Sequence, residues 1–424
     1  MKPSITQIEN AFQPAREITD AVRFAGRKSA VGDLYYSLLS EGANIAIVGN
    51  RGIGKTSLAR QLMNISKGDN SLLGRLSLPH DRSFDFLTIY LACGNTTNST
   101  EALLERLLTS SSCLADWIYD VPKARKIMTG YSPKFGANIL GITAELGGEK
   151  KEEIQTERAI SSHSIDSVFT NVANAITEEG LSRDGLLIIV DEFDQISDTT
   201  GFASFLKALA TNAPKVKFGI VGVAKDIQML MKEHASSDRL FAGSIIALPS
   251  MSLPELKEIV DIAESEIGGY IKFEEAAKEK LSSLAQGHPY MVHLVGKYAL
   301  RLAYHENRQV IAANDIDETL KSIAERQADP VLEGRYRKAV ASSPQRESVL
   351  RALAVTQDAQ GEIWTTDTYK RAIEDGVDNP SQYVGHLATE QYGAELENLR
   401  ERYYRFKDSL FAAYVRARPR MFEI

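Results

Sequence analysis

Residues Asn44-Ile-Ala-Ile-Val48 run directly into Gly49-Asn-Arg-Gly-Ile-Gly-Lys-Thr56. The first stretch is short and nearly all apolar. That pattern fits a strand buried on both faces, as in a parallel sheet. The second matches G-x-x-x-x-G-K-[ST] in full. Its glycines let backbone N–H groups wrap around phosphate oxygens where side chains would collide. A helix is expected from Lys55 to about Ile65, with its positive N-terminal end toward the same anion. Lys55 then reaches toward the β- and γ-phosphates, and the Thr56 hydroxyl offers a ligand to Mg²⁺. Gly49, Asn50, Arg51, Gly52, Ile53, Gly54 and Ser57 complete the expected phosphate-binding set. Arg51 has two readings, a contact to the terminal phosphate or a side chain facing solvent.

Four further apolar runs resemble the first: Phe86 to Ala92, Leu186 to Val190, Val216 to Val223 and Ser244 to Leu248. Apolar strands alternating with helical stretches predict an α/β fold with a parallel sheet and crossover helices. A helix from Arg27 to Glu41 precedes the first strand, with Leu34, Tyr35, Leu38 and Leu39 on one face. The core domain is expected over 23–250, after an N-terminal extension at 1–22. An insertion is expected around 115–160, with a Gly-rich piece from Gly136 to Gly148.

The run Leu186-Leu-Ile-Ile-Val ends in Asp191-Glu192. On a strand neighbouring the phosphate loop, Asp191 would hold the hydration shell of Mg²⁺. Glu192 would polarise an attacking water. Asp194 either orients Glu192 or is an exposed loop acid.

Length and composition bound the answer. The 424 residues suggest about three domains, or two with insertions. Hydrophobic residues are 43% and charged residues 25%, which argues against a disordered or fibrous chain. No apolar run nears the ~18 residues needed to span a bilayer, and no secretory signal is visible. Cys93 and Cys113 alone make neither a disulfide framework nor a zinc site, so a cytoplasmic, reducing location is expected. They read as small buried thiols. The net charge of −7 disfavours a protein built mainly to coat nucleic acid, though a local DNA-binding module remains open.

From Ser252 the strand signal gives way to helices. Ser252-Leu-Pro-Glu-Leu opens the first of them, with Ser as cap and Pro in the first turn. A helical lid is expected over 251–328 and a winged-helix-like domain over 329–424. In the latter, helices near 345–355, 366–375 and 380–390 precede a hairpin and a final helix from Asp408 to about Arg416. Arg400, Arg402, Arg405, Lys407, Arg416, Arg418 and Arg420 cluster late, with Tyr403, Tyr404 and Phe406 among them. They either grip duplex DNA or serve a protein contact. The candidate recognition helix, Ser381 to Glu390, holds no Lys or Arg.

These residues together resemble the P-loop NTPases with a catalytic glutamate on the acidic strand, which include AAA+ and STAND ATPases. Phe24-Ala-Gly-Arg27 is similar to the F-x-G-R entry of STAND and initiator-type AAA+ proteins. Gly287-His-Pro289 resembles the G-x-P motif of their lid. Asp191-Glu-Phe-Asp194 is similar to their acidic box. The resemblance implies ATP and Mg²⁺ as cofactors. It places Arg27 against the adenine and Pro289 near the base, with Glu192 and Lys55 as catalytic groups and Thr56 and Asp191 at the metal. It also implies an arginine finger offered to a neighbouring subunit, and Arg239 is the candidate, with an intrachain salt bridge as its alternative. The sensor candidates Lys225 and Asp226 are not the usual Asn, Ser or Thr. Tyr290 stands where many AAA+ lids carry an arginine. His288 and His293 read as packed or surface residues. These departures lean toward STAND, or toward slow hydrolysis.

Three functions follow as expectations. The leading one is an ATPase switch that forms a homo-oligomer and regulates a protein partner, as in defence or signalling. The second is a DNA-binding initiator or transposition-type ATPase. The third is a static ATP-binding module with little turnover.

Overall fold

The apolar runs pair side by side in one parallel sheet: β1 (Ile45–Val48), β2 (Phe86–Ala92), β3 (Gly185–Asp191), β4 (Val216–Gly222) and β5 (Ile245–Ala247), in the order β2-β3-β4-β1-β5. The computed structural model describes residues 2–131, 164–223, 240–326, 328–358 and 361–422. The chain forms two compact units. One, the sheet unit, comprises Lys28–Gly49 and Lys55–Leu248. The other, the helical unit, comprises Met1–Arg27, Asn50–Gly54 and Pro249–Ile424.

In the sheet unit the pleat sorts the strand residues by alternation. Ala46, Val48, Ile89, Leu91, Ile188, Val190, Phe218 and Ile220 join one core, together with Leu103, Leu107, Phe169, Val172, Phe202 and Phe205 from the flanking helices. Their alternates, such as Ile45, Ile47, Leu187 and Ile189, are buried outside that cluster. The helix Lys55–Ser66 lies on this second side. A Cβ at Gly219 would meet Leu62 at 3.3 Å and Ile189 at 3.5 Å, so glycine sets the spacing there. Both sides are covered, which is why these strands read as continuous apolar runs.

Lys217 departs from that pattern inside β4. It is buried, and its ammonium donates to the carbonyls of Ser37 (3.3 Å), Leu38 (3.2 Å) and Ser40. These lie at the end of the helix Lys28–Leu39, where backbone acceptors lack helical partners. Burial pulls the ammonium down to about 8.

One expectation needs correcting. Asp191 does not sit on the strand adjacent to the phosphate loop, because β4 pairs with both β1 and β3 and lies between them. The separation is therefore about two strand spacings, roughly 10 Å. Within the span read as an insertion, residues 115–130 are packed. Helices Ala115–Ile118 and Pro122–Gly130, with Val121 between them, place Ile118, Val121 and Ala124 in the same cluster as Phe169. Residues 132–163, with the Gly-rich piece, lie outside the described residues.

The helical unit opens with Ile5–Ala11, capped by Ser4, whose Ile8 and Ala11 enter that unit's core with Phe12. Glu9 ion-pairs with Arg301 on the helix Pro289–His305. Helices Leu253–Glu266, Glu275–Ala285 and Ala313–Glu325 pack around it. Farther along come helices Pro330–Val340, Pro344–Val355, Thr365–Glu374 and Pro380–Leu387, and a last helix, Ser409–Ala417. A three-stranded antiparallel sheet joins them, with Tyr403–Phe406 between Glu362–Trp364 and Leu396–Arg400. The strand Glu362–Trp364 is absent from the sequence reading.

Candidate nucleotide site

β1 ends at Val48, and Gly49 donates its N–H to the carbonyl of Gly222 at 3.4 Å, at the tip of β4. The chain then turns through Asn50–Gly54 into the helix that begins at Lys55. Gly52 has φ +71° and Gly54 has φ +99°, a region that disfavours any side chain. This is the local reason for the glycine spacing. Asn50 and Arg51 are exposed, while Ile53 is buried. Thr56 and Ser57 are half-buried in the first turn of the helix.

Within the helical unit the loop tip is tied down on three sides. Arg27 is 7% exposed and donates from Nη2 to the Ile53 carbonyl at 2.9 Å and from Nη1 to the Pro249 carbonyl at 2.6 Å. Burial pulls its guanidinium below the ordinary value, and Glu255 opposes that. Gly26 and Arg27 are both left-handed, and their N–H groups point into carboxylates. Arg27 N donates to Glu255 Oε1 at 2.7 Å, and Gly26 N to Glu258 Oε2 at 2.9 Å. Glu255 Oε2 also accepts from Ser252 N at 2.8 Å, capping the helix Leu253–Glu266.

The Gly287-His288-Pro289 segment flanks the same tip. A Cβ on Gly54 would lie 4.0 Å from Pro289 Cγ. His288 is 3% exposed. Burial lowers its imidazole to about 4; Asp408 opposes this and Arg27 adds to it. His293 is a packed residue as well, accepting from Gln13 N at 3.2 Å, and burial lowers it to about 4. Tyr290 donates to Asp329 Oδ2 at 2.5 Å. Asp329 Oδ1 in turn caps the helix Pro330–Val340. The third side is Leu410, from the last helix. Its Cδ2 is 3.0 Å from where a Gly52 Cβ would stand.

The acidic pair sits in the sheet unit at the tip of β3. Asp191 is 3% exposed. Its Oδ1 accepts from Glu192 N at 2.8 Å, and its Oδ2 accepts from the Tyr90 hydroxyl. Its carbonyl accepts from Cys93 N at 2.9 Å. No ion pair to Asp191 or Glu192 is formed among the described residues. A buried carboxylate held by neutral donors keeps its charge for a cation. Glu192 is left-handed at φ 55°, a conformation that costs a non-glycine residue about 1–2 kcal/mol. This turn lifts Glu192 out of the strand, and the side chain is exposed where Asp191 is buried. Asp194 is exposed one turn on. Cys93 is buried, its thiol pushed by burial up to about 12, so it stays protonated. Cys113 is likewise a buried free thiol.

The structure thus groups Gly49, Lys55, Thr56, Asp191 and Glu192 in one unit, and Arg27, Pro289 and the loop tip in the other. Arg239, Lys225 and Asp226 lie outside the described residues.

The family described as Novel STAND NTPase 1 matches residues 11–361. The chain belongs to this STAND NTPase family. The resemblance drawn from the phosphate loop and the acidic pair agrees with it. Among solved structures, a Walker-type ATPase of Pyrococcus abyssi is similar, with a TM-score of 0.51 and 16% identity over 95% of this STAND NTPase and 99% of that chain. The Aeropyrum pernix ORC2 protein has a TM-score of 0.48 and 15% identity over 92% and 91%. Cdc6p of Pyrobaculum aerophilum has a TM-score of 0.46 and 14% identity over 98% and 97%. At these identities the likeness concerns the fold alone. No curated protein matches the STAND NTPase.

The late basic residues of the STAND NTPase are mostly paired. Arg400 bonds Glu362 at 2.8 Å, Arg405 bonds Glu397 at 3.0 Å, and Arg420 bonds Asp375 at 2.6 Å. Arg418 is buried against Glu333, with contacts of 2.8 and 2.9 Å, and Tyr414 donates to the same carboxylate at 2.8 Å. No helix among the described residues is long and apolar enough to cross a membrane.

Proposed function

We propose that this STAND NTPase is an ATP-binding and hydrolysing switch. The observation that carries the reading is the complete phosphate loop after β1, in the same parallel sheet as the Asp191-Glu192 pair at the tip of β3. In this reading the loop from Gly49 to Thr56 wraps the phosphates and Lys55 counters their charge. Thr56 would hold Mg²⁺ and Asp191 its hydration shell, and the ion when bound neutralises charge on the phosphate oxygens. Glu192 takes a proton from the attacking water as general base. Its left-handed turn frees the carboxylate from the strand for that task.

We read the segment 251–328 as a lid and 329–424 as a winged helix, because helix, strand, two helices and a hairpin follow in that order. A protein partner is favoured over duplex DNA, since four of the late arginines already answer carboxylates and the helix Pro380–Leu387 carries no Lys or Arg. Arg239 is the proposed finger for a neighbouring copy.

Mass photometry of wild type and Glu192→Gln, with ATP·Mg²⁺ or ADP and with or without duplex DNA, tests the switch. Assembly in ATP without DNA is expected, strongest in Glu192→Gln. Assembly only on DNA would favour an initiator ATPase. A monomer under every condition would favour a static ATP-binding module.

A further inference from the structure

Tyr90 lies on β2 two residues before its end. In the parallel register Tyr90 pairs with Ile189, and Ala92 pairs with Asp191. Side chains two apart on a strand share a face, so Tyr90, Ile189 and Asp191 all project to the side covered by the helix Lys55–Ser66. There the Tyr90 hydroxyl donates to Asp191 Oδ2. The guanidinium of Arg60, on that same helix, stacks 3.5 Å from the centre of the Tyr90 ring. The other Asp191 oxygen is held by Glu192 N. One connected path therefore runs from the helix that starts at Lys55, through Arg60 and Tyr90, to the Asp191 carboxylate.

We propose that Tyr90 is a positioning residue that orients the Asp191 carboxylate toward its magnesium site. The proposal rests on the reading of Asp191 as the metal-holding acid. A carboxylate has two oxygens and free rotation about its last bond. With Glu192 N on Oδ1 and Tyr90 on Oδ2, the plane of the group is set, and each oxygen keeps a lone pair for water or metal. Partners that orient a metal-holding group are commonly worth 10–100-fold in metal affinity. Neutral donors also keep the carboxylate charge available, which an arginine at the Tyr90 position would cancel. Arg60 contributes by fixing the ring, so its own effect is smaller.

Tyr90→Phe keeps the ring and its stacking and removes only the hydroxyl. The test is equilibrium binding of N-methylanthraniloyl-ATP while Mg²⁺ is titrated, on the full chain. Wild type, Tyr90→Phe, Arg60→Gln and Asp191→Asn are compared, with affinity also measured in EDTA. The expected result is a rise of about tenfold in the Mg²⁺ needed for half effect in Tyr90→Phe. Its metal-free affinity stays at the wild-type value, while its melting temperature falls modestly because the buried Asp191 Oδ2 loses a donor. Arg60→Gln shifts the same way by less, and Asp191→Asn loses the Mg²⁺ dependence. If Asp191→Asn loses it and Tyr90→Phe titrates as wild type, the Tyr90 proposal is overturned and the Asp191 reading stands. Equal weakening with and without metal in Tyr90→Phe would make the residue merely structural. An unchanged Asp191→Asn would remove both readings together.

Discussion

The guanidinium of Arg27 donates a hydrogen bond to the carbonyl oxygen of Ile53 at 2.9 Å. A side chain that the family resemblance places against a base here holds the phosphate loop by its backbone. The second bond, to Pro249, ties the same guanidinium to the entry of the helical segment. Removing a charged donor from buried acceptors costs about 1.5–3 kcal/mol per contact. Arg27→Met removes two such contacts and is therefore expected to lower stability by about 3 kcal/mol or more and to weaken nucleotide binding. Chemical denaturation beside a nucleotide titration reads both. A variant equal to wild type in each would show that the tether carries no weight.

Gly52 and Leu410 are coupled in the same way. A side chain at position 52 meets both a left-handed backbone and the Leu410 methyl at 3.0 Å. Gly52→Ala should destabilise by about 1 kcal/mol or more. Adding Leu410→Ala removes the clash but not the backbone strain. The double-mutant cycle should then give a favourable interaction energy of about 0.5–1 kcal/mol. An additive result would mean that the loop tip and the last helix do not meet.

Two buried imidazoles make stability depend on pH. His288 and His293 are lowered from 6.5 to about 4 by burial, His293 with help from Arg23. Between pH 4 and 6.5 the unfolded chain binds protons that the folded chain does not. The stabilising contribution is thus complete above pH 6.5 and is lost as pH falls toward 4. Each histidine supplies up to about 3 kcal/mol of that change. Melting temperatures from pH 7 to 4 should fall, and His288→Gln or His293→Gln should flatten the curve. A double variant with the wild-type slope would exclude these groups.

Much of this was legible in the sequence for a plain reason. A parallel sheet covered on both sides demands continuous apolar strands, so Leu186 to Val190 announces itself. The phosphate loop is equally legible because its function needs glycines at fixed spacing. Pairing is not written that way. Nothing in β1 or β3 says that β4 lies between them, so the neighbouring-strand expectation for Asp191 fails. The strand Glu362–Trp364 was missed because its partners, Tyr403 to Arg405, are some forty residues away and it has too few residues to show alternation. Lys217 sits in an apolar run and satisfies carbonyls that a linear reading cannot locate. The late arginines read as a basic cluster, yet the acids that answer Arg418 and Arg420 are Glu333 and Asp375, some 85 and 45 residues earlier. Tyr90 had a usable signal, an aromatic hydroxyl two residues before the end of a buried strand. Only the register makes Asp191 its neighbour.

The most direct test of the account is phosphate release from γ-labelled ATP with Mg²⁺, comparing wild type and Glu192→Gln, beside nucleotide affinity. A general base contributes about 10²–10⁴-fold to rate. The account predicts a loss of at least 10²-fold in turnover for Glu192→Gln, with ATP bound as tightly as in wild type. Equal turnover in the two proteins, with the signal well above a Lys55→Ala control, would contradict the assignment of Glu192 and the switch built on it.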